Sequence, residues 1–263
     1  MSAGVLVDRQ GPVLRIINNN PGARNALSFA FSSGATKALQ AAASDKTIAA
    51  VVLSGAEGFF CAGGDLNVLI KRREMPLADR IEAIEVLHGL IRAIRECPKP
   101  VIAAVEGGAA GAGAPLALAC DFIVASKEAY FAVNYLRVGL APDGGSTAFL
   151  AEIMPRQLAN EVIMLGDKMP VERLYQLGAI NRLVPAGQAE AAAAEIAERI
   201  HQMGPEAIAA AKRLNLAARG GDLAAQLDRE AEAMAEAQGN RESGEGIAAF
   251  LEKRRADFTQ FRR

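Results

Sequence analysis

Two stretches, "AAVVLSG" (49–55) and "PVIAAVEGG" (100–108), are unbroken apolar runs that stop at glycine. A strand with one wet face alternates polar and apolar residues, whereas an unbroken run reads as a strand buried on both faces. Between them Ile81, Ile84, Leu87, Ile91 and Ile94 mark one face of a helix. Upstream, "VLRII" (13–17) is a short β-branched run closed by "NNNPG", a strong turn signal. Ser28 is placed to cap a helix in which Phe31, Ala35, Leu39 and Ala42 recur every three or four residues. "DFIVAS" (121–126) and "GAINRLVP" (178–185) add further short strands. Strands alternating with helices imply an α/β domain.

The character changes near residue 187, where alanine-rich segments broken by Gly and Pro predict helices, the last spanning 243–258. The expected organisation is an α/β core over 1–195 and a helical C-terminal subdomain over 196–263. With 263 residues, 51% of them hydrophobic, the chain has enough material for one large domain, or for one domain with an appended subdomain.

Charge narrows the range of partners. The 29 basic and 30 acidic residues nearly cancel, so there is no footprint for nucleic acid or an anionic membrane. No apolar run reaches the roughly 18 to 20 residues of a spanning helix, and "MSAGVLVDRQ" lacks the pattern of a signal peptide. Cys61, Cys97 and Cys120 are unclustered, which predicts buried thiols in a reducing, cytoplasmic compartment. His88 and His201 lie far apart, so no metal site is expected.

Candidate chemistry sits in three motifs. "GFFCAGGDL" (58–66) and "EGGAAGAGAPLALACD" (106–121) each follow an apolar strand. Small residues there either permit tight helix–strand packing or leave backbone N–H groups open to a ligand. Two such amides converging on one point would hold an oxyanion. The third motif, "GLAPDGGSTAFL" (139–150), sets Asp143 between a proline and two glycines. Asp143 is either a turn residue capping the next helix or a catalytic carboxylate.

These three motifs, with "NPGARNALS" near the start and "EGIAAFLEKRRADF" at the end, resemble the enoyl-CoA hydratase/isomerase (crotonase) superfamily in order and spacing. The resemblance covers nearly the whole chain. It implies a crotonase-like spiral of repeated ββα units with a C-terminal helical oligomerisation subdomain, assembled as a homotrimer or a dimer of trimers. It also implies an enzyme acting on acyl-CoA thioesters, with coenzyme A arriving as part of the substrate and no separate cofactor.

Carried over residue by residue, the resemblance assigns the two oxyanion amides to Gly64 and Ala112. Coenzyme A is expected along Ala23, Arg24, Ala62, Gly64, Asp65 and Leu66, with Tyr135 facing the ligand. Phe250 and Lys253 match the terminal helix that touches the CoA nucleotide in the family, often from a neighbouring subunit. Asp65 is expected to hold its loop or cap a helix.

The sequence departs from the family's hydratases at both catalytic glutamates, whose places are taken by Pro115 and Tyr135. Proline has no acid or base, and the ordinary pKa of tyrosine, about 10, suits it poorly to general-base work at neutral pH. A double-bond isomerase needs only one carboxylate, and Asp143 is the candidate. Phe131, Tyr135, Leu140 and Phe149 are expected to form an apolar pocket around it. Three alternatives stay open. One is a hydratase with atypical residues. Another is a hydrolase or dehalogenase in which Asp143 is the nucleophile and His88 its partner, although a surface or packed histidine is the expectation for His88. The third is a non-catalytic acyl-CoA-binding member.

Overall fold

The computed structural model describes residues 4–262. In order, the chain forms β1 (Gly4–Gln10), β2 (Val13–Asn19), α1 (Phe29–Ser44), β3 (Ala50–Gly55), α2 (Leu66–Arg72) and α3 (Leu77–Glu96). It continues through β4 (Val101–Val105), β5 (Gly108–Ala110), α4 (Gly113–Leu118), β6 (Phe122–Ser126), β7 (Tyr130–Ala132) and α5 (Ser146–Ile153). Next come α6 (Arg156–Asn160), β8 (Met169–Pro170), α7 (Val171–Gln176) and β9 (Arg182–Val184). Helices α8 (Ala189–His201), α9 (Pro205–Ala218), α10 (Leu223–Gln238) and α11 (Arg241–Leu251) follow.

The main sheet has the order β1-β2-β3-β4-β6-β9. The first pair is an antiparallel hairpin, and every later neighbour is parallel. The unbroken apolar runs are its central strands β3 and β4, and their side chains divide by the two-residue period of a strand. Val51, Leu53, Val101 and Ala103 pack on one face with Phe31 and Leu39 of α1 and Leu90 and Ile94 of α3. Ala50, Val52, Ile102 and Ala104 pack on the other with Ala189, Ala193, Ile196 and Ile200 of α8. Each buried aliphatic side chain contributes about 1.5–3 kcal/mol. The residue-195 boundary expected from sequence falls inside α8, whose apolar stripe covers the sheet over its whole length.

A second sheet, β5-β7-β8, stands beside the first. The predicted terminal helix over 243–258 is shorter: α11 ends at Leu251, and Lys253 takes a left-handed backbone with φ of 57°. Glu245 explains the break. It receives Arg254 through two hydrogen bonds of 2.6 and 3.0 Å and the Asp257 amide at 2.8 Å, turning the chain back on the helix. No helix among the described residues is long and apolar enough to cross a membrane.

Candidate active site

The site forms where β3 and β4 end and their glycine-rich continuations meet. Cys61 bridges to the second sheet: its N–H donates to Gly108 O at 3.1 Å, and its carbonyl accepts from Ala110 N at 2.9 Å. This clamps the two stretches side by side. Gly63, at φ of 96°, completes the approach, because a Cβ there would stand 2.8 Å from Ala110 O and 3.1 Å from Ala112 N. Any other residue would push the loops apart.

Gly64 and Ala112 therefore come to line one cavity of about 780 Å³. Neither amide donates a hydrogen bond among the described residues. Ala112 immediately precedes α4, and Gly64 stands two residues before α2, whose N-cap is Asp65. Unsatisfied N–H groups at these strand-to-helix turns are the donors an oxyanion needs. Asp65 accepts from Asn67 N at 2.8 Å, the capping role expected of it.

Asp143 lines the same cavity. It is not the side-chain cap of α5: Gly145 occupies the N-cap position, and no side chain caps that helix. Its main-chain carbonyl accepts from Ser146 Oγ at 2.7 Å. Its Oδ1 accepts from Gly144 N at 2.6 Å and lies 2.7 Å from His88 Nε2, while Oδ2 has no partner among the described residues. His88 is thus a member of the site, correcting its expected place as a surface or packed histidine. The second ring nitrogen lies 3.0 Å from Glu85 Oε1, and Arg92 holds the other oxygen of Glu85. When the ring is protonated, both imidazole nitrogens donate, one to each carboxylate. Burial opposes that charge, but the bonds to Asp143 and Glu85 outweigh it and raise the His88 pKa above its ordinary value.

Tyr135 lines the cavity and donates from its hydroxyl to Asp143 O at 3.3 Å. Burial, with the Asp143 charge nearby, drives its pKa well above the ordinary phenol value, so the hydroxyl stays protonated. Pro115 is buried in α4, and a Cβ on Gly144 would stand 2.9 Å from its ring. Leu140 lines the cavity, but Phe131 and Phe149 do not. They are 4% and 7% exposed in the main core, with Phe149 packed beneath Gly145. Of the four residues expected to form the apolar pocket, Tyr135 and Leu140 therefore line it, and Leu69, Ile84 and Leu87 supply much of the rest.

Ala62, Gly64, Asp65 and Leu66, where coenzyme A is expected, line the cavity. Ala23 and Arg24 are exposed and lie outside its lining, although Arg24 O accepts from Ala62 N at 3.0 Å and so braces the first loop. Phe250 and Lys253 are also exposed and outside it. Sequence reading missed Glu85 and undervalued His88. The available signal was position: His88 follows Ile84 by four residues, on the edge of the apolar stripe of α3.

A sequence profile described as Enoyl-CoA hydratase/isomerase matches residues 8–262. The chain belongs to the enoyl-CoA hydratase/isomerase family. This member is 33% identical over 254 residues to the 2,3-dehydroadipyl-CoA hydratase of Escherichia coli strain K12, covering 97% of this chain and 98% of that protein. It is 32% identical over 248 residues to the 1,2-epoxyphenylacetyl-CoA isomerase of the same strain, covering 94% and 95%. The crystal structure of an enoyl-CoA hydratase from Polaromonas sp. JS666 superposes with a TM-score of 0.94 at 41% identity, covering 96% of this chain and 98% of that one. The crotonase fold and an enzyme of the acyl-CoA hydratase/isomerase type follow from these matches.

Proposed function

We propose that this enzyme is an enoyl-CoA double-bond isomerase in which Asp143 shuttles one proton. The thioester oxygen sits between the Gly64 and Ala112 amides. Asp143 Oδ2 takes a proton from the carbon next to the thioester, and the electron pair of that C–H bond moves into the enolate, whose oxygen the two amides hold. Collapse of the enolate moves the double bond one position toward the thioester, and the same carboxyl returns the proton two carbons further along. One proton is moved and none is lost, so no water is activated and no redox partner is required. The observation that carries this reading is Asp143 itself: one oxygen is fixed by His88 and Gly144 while the other is unpaired, in a cavity where both hydratase glutamates are replaced.

The direct test is exchange in D2O at the carbon next to the thioester. Asp143→Asn should slow both exchange and isomerisation by about two to four orders of magnitude. Wild-type exchange in that variant would remove Asp143 from the mechanism.

A second reading draws on the His88–Asp143 contact, in which Asp143 attacks the substrate and His88 then activates water to hydrolyse the ester. The two facing carboxylates raise the His88 pKa and so bias the ring toward the protonated form, which cannot serve as that base, and this favours the shuttle. Single turnover in H2(18)O separates the two, because only the nucleophilic route labels the Asp143 carboxylate. Phe250 and Lys253 complete the CoA site only from a neighbouring subunit of a trimer or a pair of trimers.

A further inference from the structure

Five ionisable side chains that carry charge around the cavity are Asp65, Arg72, His88, Arg137 and Asp143. Asp65 caps α2, His88 and Asp143 hold each other, and Arg137 pairs with Asp167. Arg72 is half-buried, yet its guanidinium has neither a hydrogen bond nor an ion pair among the described residues. Charged groups are seldom drawn off the open surface without a partner, and a guanidinium presents a fork of donors matched to a carboxylate.

Its place along the cavity gives the partner's position. A Cβ on Gly64 would stand 3.4 Å from Leu69, so Leu69 lies against the oxyanion loop. Arg72 is three residues further along α2, about 4.5 Å down the axis and on nearly the same face. A short connection leads from Arg72 into the first turn of α3. Arg72 is therefore tied by that short connection to the start of α3, whereas Ile84 and His88 lie about two and three turns further along that helix. The cavity thus offers two amide donors, an apolar lining that includes Leu69, Leu87 and Ile84, and in Arg72 a cation without a partner among the described residues.

We propose that Arg72 is a subsite for a carboxylate at the far end of the acyl chain, which makes the substrates ω-carboxylated acyl-CoAs. This rests on the reading above that the thioester oxygen lies at Gly64 and Ala112. The CoA phosphates are the other anions available, and the test separates the two sources.

Isothermal titration with the unreactive ligands hexanoyl-CoA and adipoyl-CoA is carried out on the wild type, Arg72→Gln and Arg72→Lys. The wild type should prefer adipoyl-CoA by about tenfold. Arg72→Gln should bring the two to parity by weakening adipoyl-CoA alone, and Arg72→Lys should keep part of the preference. Equal wild-type affinities would overturn the subsite. So would equal weakening of both ligands by Arg72→Gln, which would put Arg72 on the CoA phosphates. No affinity for either ligand would overturn the acyl-CoA reading and the subsite together. A preference for adipoyl-CoA in an enzyme that fails the D2O test would uphold the subsite and overturn only the isomerase.

Discussion

Protonation of His88 couples the site to pH. Its folded-state pKa is raised by Asp143 and Glu85, so the stabilisation it contributes is complete below the ordinary imidazole value, about 6.5. That stabilisation is lost as pH rises through the raised value. Calorimetric melting from about pH 6 to about pH 9 should show it draining away in the wild type and absent from His88→Gln. Parallel curves for the two proteins would mean that His88 does not titrate in this way. Glycine matters in a different manner. Gly63→Ala would force a methyl group against Ala110 O and Ala112 N, misaiming one oxyanion donor. Turnover should fall about a hundredfold or more with little change in CoA affinity, as stopped-flow kinetics and titration would report. That Gly64, Ala112 and Asp143 would come together was foreshadowed by contiguous motifs and their family resemblance, and all three line one cavity. The partnership of His88 with Asp143 spans 55 residues, and no local pattern encodes a contact that the fold alone creates.

Among the helices, α9 is tied to the core by one buried cation. Lys212 Nζ donates to Ile94 O at 2.9 Å, Lys99 O at 3.3 Å and Asp121 Oδ2 at 2.7 Å, joining α9 to the end of α3 and the entry to β4. Burial pushes the Asp121 carboxyl above its usual value, with the Lys212 charge working against it. Lys212→Met leaves that carboxylate buried without its cation, which should cost about 3–5 kcal/mol. A denaturant titration would read it directly, and a loss under about 1 kcal/mol would show the pair to be hydrated rather than buried. β3, β4 and the apolar face of α3 were readable because a full strand or five helical turns give periodicity room to repeat. β5, β7 and β8 were not, since runs of two or three residues leave no period to detect. The early end of α11 escaped for a related reason: what stops it is the side chain of Glu245 reaching forward to Arg254 and Asp257, not a breaker residue.

Taken as one body, the chain leaves apolar surface where a lone monomer gains nothing from it. Leu223, Leu227 and Met234 form one exposed stripe on α10, and Ile247, Phe250 and Leu251 form another on α11. Gln226 and Ala233 mark the buried side of α10, about a quarter-turn round from that stripe, so the exposed stripe is not the face that seats this helix on its own subunit. Stripes of this kind mark interaction sites, and the trimer proposed above would cover them with a second and third copy. The same assembly would bring Phe250, which is 83% exposed and outside the cavity, to a neighbour's ligand. Leu223→Asp with Leu227→Asp puts two like charges into the contact while touching neither the cavity nor α11. Light scattering behind gel filtration should show a multiple of three chains for the wild type and a monomer for the double variant. The monomer should keep its thermal core transition yet bind CoA more weakly, because its own oxyanion hole and Asp143 are intact while the neighbour's Phe250 and Lys253 are gone. A wild type that is monomeric at micromolar concentration would remove the interface, and a monomeric variant with unchanged CoA affinity would confine the CoA site to a single subunit.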